Sequence, residues 1–460
     1  MRKKILLRGI CSNVRNFIRS SISVSCVVLF CFPSFVSATS LLDVYLQAKH
    51  FSPQLKGLHN QYLADAQVVP IKDAELLPTL SLSALISRDH YRKPLRAKVD
   101  YHDINLKLQQ PLLDMSAWNQ TAVANKQALQ ARYNYVAAEQ KFILRVATLY
   151  FKVLEEEENV SATMAELKST KVTFNAISQR FYVGVATRAD QTQARAQYLM
   201  AKASLIDVQH KLQQSRVDLW AISGKHYGSL DNLKSNLAFN KLHNSTVNFW
   251  LHKSISSNPE LLAKSYLAMS KYSAVKVVRS DLFPEVSAFI NYRNVKNSLA
   301  DRFFGDNASF SPFRTGFSFG LQLTWNLLES GGTIARINQA AYQYGAALMQ
   351  QDATRREITK LTKQDYLKVV STEYLISAYK SSYIANLATW RSFYAKYRIG
   401  TISVTNLFKQ VPKVLTAHKN YISAKYTYIQ YFLRLRLDAG ELNLHAIQEI
   451  NKWLTTSRVT

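Results

Sequence analysis

Four consecutive glutamates, Glu155 to Glu158, form an unbroken run of acids in the chain. Carboxylates gathered in this way could bind cations. On a helix, however, consecutive residues point in all directions around the axis, because one turn takes only 3.6 residues. We therefore expect a solvated acidic patch, with a cation site as the alternative.

Cysteine and histidine chemistry is poorly supported by the sequence. The three cysteines, Cys11, Cys26 and Cys31, all lie near the N-terminus, and none of the ten histidines has a second histidine four residues away. Two imidazoles at that spacing would share one helix face and could hold zinc. No Ser/His/Asp set, paired-carboxylate motif or phosphate loop stands out either. We expect no metal, no cofactor and no enzyme.

The first 38 residues have the pattern of a secretory signal peptide. Residues 1–19 carry six basic residues and no acid, residues 21–32 are apolar, and Val36 and Ala38 are the small residues of a cleavage site. Twelve apolar residues are too few to cross about 30 Å of hydrocarbon. Cleavage after Ala38 is expected, and it would remove all three cysteines before the chain reaches an oxidising compartment.

The remaining chain is strongly basic. Six of the 58 Lys and Arg residues lie in the signal, which leaves 52 against 31 acidic residues, a net charge near +21. Such a balance suits nucleic acid, an anionic membrane surface or anionic cargo. An exported chain does not meet nucleic acid, and the bases are spread along its length, so we expect no nucleic-acid partner.

The chain repeats the same landmarks twice. Pro53 and Pro78 are 25 residues apart, and so are Pro259 and Pro284. Later in each half, Asp114 precedes Gly184 by 70 positions and Glu329 precedes Gly400 by 71. We therefore divide the chain into 1–38 (signal), 39–222 (first repeat), 223–257 (connection), 258–440 (second repeat) and 441–460 (C-terminal segment).

Two long helices are predicted between the later landmarks. Ser116 to Val183 and Gly332 to Ile399 contain no proline and are rich in Ala, Gln, Lys, Leu and Tyr. Each would be on the order of 100 Å long, which is typical of a coiled coil or a helical tube. Shorter helices are expected alongside them at 41–74, 188–222, 258–279 and 404–437.

Four short strands are predicted at equivalent places in the two halves. Apolar and polar residues alternate over Phe317 to Leu327, over Thr79 to Ile86 and after Pro284, and a fourth, shorter strand runs through Ile104, Leu106 and Leu108 and loses phase near Asp103. The alternation suits either a membrane barrel or a soluble sheet with one buried face. In a membrane, a sheet of four strands would leave the backbone N–H and C=O groups of its two outer strands without hydrogen-bond partners. The chain would therefore have to form oligomers, and three copies would supply about twelve strands.

These landmarks resemble the TolC family of outer membrane efflux proteins. The resemblance runs from about Leu41 to Gly440 and includes the strand-to-helix corners Leu-Gln-Gln-Pro-Leu-Leu-Asp at 108–114 and Trp-Asn-Leu-Leu-Glu-Ser-Gly-Gly at 325–332. It implies an α+β fold: a homotrimeric duct with a 12-stranded barrel in the outer membrane, in contact with its lipids. It also implies a periplasmic barrel of helices, a mixed equatorial belt at 223–257 and after Asp438, and docking to an inner-membrane pump through a periplasmic adaptor.

The two glycine turns mark the expected entrance of the duct. Gly184 and Gly400 each end a long helix, where glycine accepts the left-handed conformation. In well-known members, an aspartate six residues after the first glycine bonds a tyrosine three residues before the second, and an arginine two residues after the second joins them. The matching residues are Asp190, Tyr397 and Ile402, so two of three latch partners remain. The alternative is that Asp190 only caps the helix that follows.

A second departure from the family pattern concerns charge at the constriction. Members carry acids six and nine residues after the second glycine, whereas this chain has Asn406 and Lys409. A trimer would place three copies of Lys409 in a ring, unless Lys409 faces outward.

The function expected from the resemblance is a passive exit duct of a tripartite efflux pump or a type I secretion system, in the outer membrane with a periplasmic extension. The alternative is a periplasmic coiled-coil or adaptor-like protein without a barrel.

Overall fold

The computed structural model describes residues 39–92, 97–234, 246–297 and 315–455. The predicted signal segment, 1–38, lies outside the described residues. Within them, no helix combines the length and the apolar composition needed to cross a membrane.

Helices make up most of the described chain. They are α1 (Leu41–Phe51), α2 (Pro53–Ala66), α3 (Val68–Ala74), α4 (Met115–Tyr182), α5 (Arg188–Ser223), α6 (Val247–Ser257), α7 (Pro259–Ser280), α8 (Gly332–Arg398), α9 (Val404–Phe408), α10 (Val411–Asp438) and α11 (Leu444–Asn451). The strands are β1 (Thr79–Tyr91), β2 (Ala97–Leu113), β3 (Asn232–Leu233), β4 (Glu285–Asn297), β5 (Thr315–Thr324) and β6 (Leu454–Thr455).

The two predicted rods are present within one residue of their expected ends. Helix α4 has 68 residues and α8 has 67, so each is about 100 Å long. The Asp114 carboxylate accepts the backbone N–H of Ala117 and so caps the start of α4. Helix α8 instead starts after Gly331, which has a φ of 86°. The strand-to-helix corners noted in the sequence therefore begin both rods.

Small buried residues at seven-residue intervals hold the long helices together. Four helices show the spacing: Ala117, Ala124 and Ala131 in α4; Ala194, Ala201, Val208 and Ser215 in α5; Leu261, Ala268 and Val275 in α7; Thr333, Ala340 and Ala347 in α8. A seven-residue repeat of buried positions is the signature of a coiled coil, and small side chains let the helix axes approach closely. The structure is mostly helical, as predicted, and the coiled coil itself stays a prediction that this spacing supports.

Two of the shorter predicted helices are interrupted. The expected helix 41–74 is divided into α1, α2 and α3, because Ser52 takes an extended conformation before Pro53, which starts α2. The expected helix 404–437 is divided into α9 and α10, since Pro412 lies at the start of α10 and cannot continue a helix from α9. Residues 188–222 and 258–279 form single helices, as predicted.

The four longer strands form one antiparallel sheet in the order β1-β2-β4-β5. Its register brings the apolar residues of all four strands onto one face: Leu80 pairs with Leu108, Leu108 with Ile290, and Ile290 with Phe319. The opposite face is mostly polar, although Leu85 and Phe289 lie on it. There Arg293 forms an ion pair with Asp103, and the Ser81 hydroxyl donates to the Lys107 carbonyl. Among the described residues, the sheet does not close on itself.

Strand β2 departs from its prediction. We expected a short strand around Ile104 to Leu108, but β2 is the longest of the four, with 17 residues. The apolar face stops at Ile104 because the next residues on that face, His102 and Asp100, are polar, which explains the loss of phase in the sequence. Strand β5 is shorter than predicted and ends at Thr324, after which the Trp325 indole N–H donates to the Leu282 carbonyl.

The main hydrophobic core lies around the middle of α4. Tyr150 and Phe151 of α4 pack there with residues of α1, α10 and α11. The Tyr150 hydroxyl donates to the Asp231 carbonyl at 3.0 Å, and β3 pairs with β6 beside it. This region includes parts of 223–257 and of the chain after Asp438, the segments assigned above to a mixed equatorial belt.

The run Glu155 to Glu158 in α4 is not the solvated patch that we expected. Glu155 and Glu156 are buried, and the Lys152 ammonium bonds both carboxylates. Glu157 pairs with Arg216 of α5, and Glu158 accepts bonds from Lys425 and from the Tyr426 hydroxyl of α10. The acids point around the helix as predicted, but neighbouring helices surround α4 at this level. No group of acids and histidines in the described part of the chain has a metal-binding arrangement.

Candidate functional site

The two glycine turns have the same backbone structure. At the end of α4, the Gly184 N–H donates to the Phe181 carbonyl and the Val185 N–H to the Arg180 carbonyl. At the end of α8, the Gly400 N–H donates to Tyr397 and the Thr401 N–H to Lys396. Both sets are the paired bonds of a Schellman motif, and both glycines are left-handed, with φ of 77° and 81°. The two turns are therefore equivalent, as the sequence repeat indicated.

The two turns lie at the same end of the molecule and touch each other. Arg180 Nη2 donates to the Arg398 carbonyl at 3.0 Å, and the Arg180 guanidinium stands 5.2 Å from the ring centre of Tyr397. A small apolar cluster lies behind this contact, made of Ile177, Ala194, Tyr397, Val404, Leu407 and Phe408. We call this end of the rods, residues 172–200 and 385–413, the tip.

Asp190 caps its own helix. The Thr187 hydroxyl donates to Asp190 Oδ2 at 2.8 Å, and the Asp190 N–H donates back to Thr187 Oγ1 at 3.1 Å. The Thr187 N–H also reaches Asp190 Oδ2, which completes a capping box at the start of α5. The capping alternative raised from the sequence is thus present in the structure. Within the described chain, no hydrogen bond joins Asp190 to Tyr397, and a latch between adjacent helical pairs in the assembled duct stays a prediction.

Tyr397 is buried in the tip cluster, with only 8% of its surface exposed. Sequence reasoning missed the partner of its ring, Arg180. The family's latch arginine corresponds to Ile402, which packs against the apolar cluster. A signal for Arg180 was present, because each rod has a base four residues before its glycine, Arg180 in one and Lys396 in the other.

Asn406 and Lys409 lie on the exposed side of the five-residue helix α9. Val404, Leu407 and Phe408 form the buried side of that helix, and the Thr405 hydroxyl donates to Gln193 of α5 at 3.0 Å. Asn406 and Lys409, three positions apart, both face away from the cluster. The structure brings the predicted constriction residues together on one surface, which can face a lumen or the exterior.

The chain matches the sequence model of the family described as "Outer membrane efflux protein" over residues 44–225 and 250–441. It is 26% identical over 427 residues to "Outer membrane protein TolC" of Vibrio cholerae, which covers 92% of this chain and 96% of that protein. It is 24% identical over 421 residues to "Alkaline protease secretion protein AprF" of Pseudomonas aeruginosa, with coverage of 88% and 85%.

Solved structures show the same fold at lower identity. The crystal structure of CusC superposes with a TM-score of 0.77 at 14% identity and covers 88% of this chain and 93% of its own. The outer membrane protein VceC of Vibrio cholerae superposes with a TM-score of 0.75 at 16% identity, with coverage of 87% and 96%. Both matches cover most of this chain and most of the solved one.

Proposed function

The chain belongs to the outer membrane efflux protein family, and from this premise we propose that three copies form an exit duct for cargo that leaves the periplasm. Members of this family are outer-membrane channels with a periplasmic extension, and the family is not one of enzymes. In the proposed duct, the sheet spans the outer membrane and the rods enclose a periplasmic passage.

The sheet is the observation that carries this proposal. Its apolar face is open to the surroundings: Leu82, Phe319 and Leu321 are each at least 70% exposed. In the described chain, β1 and β5 each pair on one side only. Unpaired backbone groups would cost several kcal/mol each in hydrocarbon. Because β1 and β5 run in opposite directions, β5 of one copy can pair antiparallel with β1 of the next, and three copies supply twelve strands.

The helix packing supports the same assembly. Helix α7 of the second repeat packs against both rods, α4 and α8. Its counterparts in the first repeat, α2 and α3, pack against α4 alone among the rods and expose Leu63 and Ile71. On α8, Tyr342 and Met349 are exposed. By analogy with α7, we propose that α2 and α3 pack against the α8 of a neighbouring copy, which would cover these apolar residues.

Partners and cargo follow from the relatives. AprF and PrtF are both described as protease secretion proteins, and TolC is described as an outer membrane protein. We propose that this duct likewise receives its cargo, small molecules or polypeptides, from an inner-membrane pump through a periplasmic adaptor. The duct itself is passive, and the pump supplies the energy.

The test is to isolate the mature chain from its own membranes. We expect recovery in the outer-membrane fraction, a trimer band that survives in detergent until it is heated, and stepwise conductance in planar bilayers. A periplasmic coiled-coil protein without a barrel would instead be recovered in the soluble periplasmic fraction and would give no conductance. A chain that stays monomeric by cross-linking in both detergent and membranes would contradict the trimer.

A further inference from the structure

The apolar face of the sheet ends in a group of basic side chains. The group lies at the end of the strands far from the helices, because β1 follows α3, β2 leads into α4, β4 follows α7 and β5 leads towards α8. Beyond the last apolar residues of this face lie five bases, which we call the far-end cluster: Arg88 and His90 in β1, Lys98 and His102 in β2, and Lys296 in β4.

The register of the sheet sets bases opposite bases within the far-end cluster. Lys98 of β2 lies opposite His90 of β1, and His102 of β2 lies opposite Lys296 of β4. Side chains directly opposite each other have Cβ atoms about 4.5 to 5.5 Å apart, and like charges at this spacing destabilise a sheet. All four side chains are exposed. Each pair therefore offers N–H donors side by side, and a bound anion would relieve the repulsion.

The acid on this part of the face does not neutralise the two lysines. Among the described residues at this end of the face, Asp100 is the only acid, and it lies opposite Arg88. The Arg88 guanidinium donates to both oxygens of the Asp100 carboxylate, at 2.5 and 3.1 Å. Lys98 and Lys296 form no ion pair within the described part of the chain. Their positive charge therefore remains available to an anion from outside the protein.

The position of the far-end cluster indicates which anion it meets. On the opposite face of the same strand ends, Arg293 donates to both oxygens of Asp103, and Asp89 adds a second acid, so excess positive charge occurs only on the face that continues the apolar residues. The outward face of an outer-membrane barrel changes from apolar to polar where hydrocarbon meets headgroups. The cluster follows the last apolar residue directly on β1 and β2, and one polar residue later on β4. It therefore lies at headgroup level.

We infer that the far-end cluster binds the phosphate groups of a phosphorylated glycolipid in the outer leaflet. The inference rests on the proposed function: with the helices in the periplasm, the far end of the sheet reaches the outer leaflet. Lys98 and Lys296 supply charge-assisted hydrogen bonds to phosphate oxygens, and His90 and His102 supply further N–H donors. Because Lys98 and His102 are four residues apart in β2, the two pairs lie about 13 Å apart, which suits a headgroup with two phosphates rather than one.

The test measures lipid binding to trimers of the full chain, purified in detergent, by native mass spectrometry. The probe is lipid A with both phosphates, compared with the same lipid after enzymatic removal of its phosphates. The parent should bind the phosphorylated lipid about tenfold more tightly, and Lys98→Gln with Lys296→Gln should abolish this preference. The matched control, Lys107→Gln with Lys363→Gln, removes the same charge from the opposite face of the sheet and from α8, and should retain it. Inorganic phosphate at millimolar concentration should not displace the lipid.

Three results would overturn the inference: equal affinity of the parent for the two lipids, equal losses in the far-end variant and the control, or displacement of the lipid by inorganic phosphate, which would indicate a site for free anions. Each leaves the proposed duct intact as long as the same trimers conduct in planar bilayers. A parent chain that forms no trimers and gives no conductance would instead refute the proposed function itself.

Discussion

The sheet and the tip both expose apolar side chains, yet they do so in different chemical settings. On the sheet, an apolar face continues across four strands, and charges are confined to the opposite face and to the far ends of the strands. At the two glycine turns of the tip, four apolar residues are exposed, and the same two segments carry seven exposed bases. The first pattern suits a uniform apolar solvent, and the second suits a protein partner. The two ends of one chain are thus adapted to different surroundings.

The largest expected effect tests the sheet. Phe319→Lys places a charge on the apolar face and should destabilise the inserted protein by about 2 to 4 kcal/mol, whereas Ser318→Lys on the polar face should be tolerated. Because the two positions are adjacent in β5, the comparison isolates the effect of the sheet face on which the charge is placed. Reversible unfolding from lipid vesicles in urea measures the difference. Equal damage at both positions would indicate a soluble sheet rather than a membrane sheet.

Between the two ends, Asp438 at the end of α10 makes stability depend on pH. Burial, together with the nearby carboxylates Asp365 and Glu260, raises the pKa of Asp438 from 3.8 to about 7. The folded protein therefore holds this proton between about pH 4 and pH 7, where the unfolded chain has lost it. The stability that Asp438 contributes in its protonated form is fully present below pH 4 and is lost as pH rises through 7.

Asp438→Asn should accordingly stabilise the protein above pH 7, by about 2 to 3 kcal/mol, and flatten the decline of stability between pH 4 and pH 7. Thermal unfolding followed by circular dichroism at several pH values measures both effects. Asp352→Asn, which changes an exposed carboxylate paired with Arg356 of α8, is the control and should leave the profile unchanged. A pH profile that is the same in Asp438→Asn as in the parent would refute this role.

Substitution of a glycine in the tip turns should lower the stability by less. Gly400→Ala puts a side chain at a φ of 81° and should destabilise the turn by about 1 to 2 kcal/mol. Gly345→Ala in the interior of α8, where an added Cβ meets no atom of the same chain within 4 Å, should instead stabilise the isolated monomer by about 0.5 to 1 kcal/mol. Local hydrogen exchange at residues 396–404 separates a tip effect from a global one. If both substitutions stabilised the protein, or both destabilised it, the assignment of Gly400 to a left-handed turn would be contradicted.

The rods could be predicted from sequence almost to the residue, because their ends are fixed by local chemistry: Asp114 caps α4, and Gly184 and Gly400 end the two helices. The division between α9 and α10 was missed although Pro412 indicates it. The burial of Glu155 and Glu156 could not be predicted, because it depends on which helices surround α4. Likewise, the contact of Arg180 with Tyr397 joins residues 217 positions apart.

A smaller effect is expected from the Asp190 and Tyr397 pair. If these residues bridge adjacent helical pairs at the tip, Asp190→Ala with Tyr397→Phe should raise the resting conductance of the trimer, while the Phe ring keeps its place beside Arg180. Thr187→Ala removes the capping hydroxyl but leaves the Asp190 carboxylate and is the matched control. A double variant no leakier than the parent would leave Asp190 as a helix cap alone.

The smallest expected effect concerns ion selectivity. Its measurement shows whether Lys409 faces the lumen or the exterior of the duct. Charges in a narrow passage with low-dielectric walls change the local ion concentration, whereas the same charges on an open surface are screened within about 8 Å at physiological salt. If Asn406 and Lys409 face the lumen, a threefold ring of Lys409 should favour anions, and Lys409→Asp with Asn406→Asp should shift the permeability ratio toward cations by roughly threefold to tenfold. The reversal potential of single channels in a salt gradient measures this ratio. Lys413→Asp, one turn further along the chain, is the control for a general change of charge at the tip. A cation-selective parent channel, or a reversal potential that the double change does not move, would assign Lys409 to the exterior of the duct.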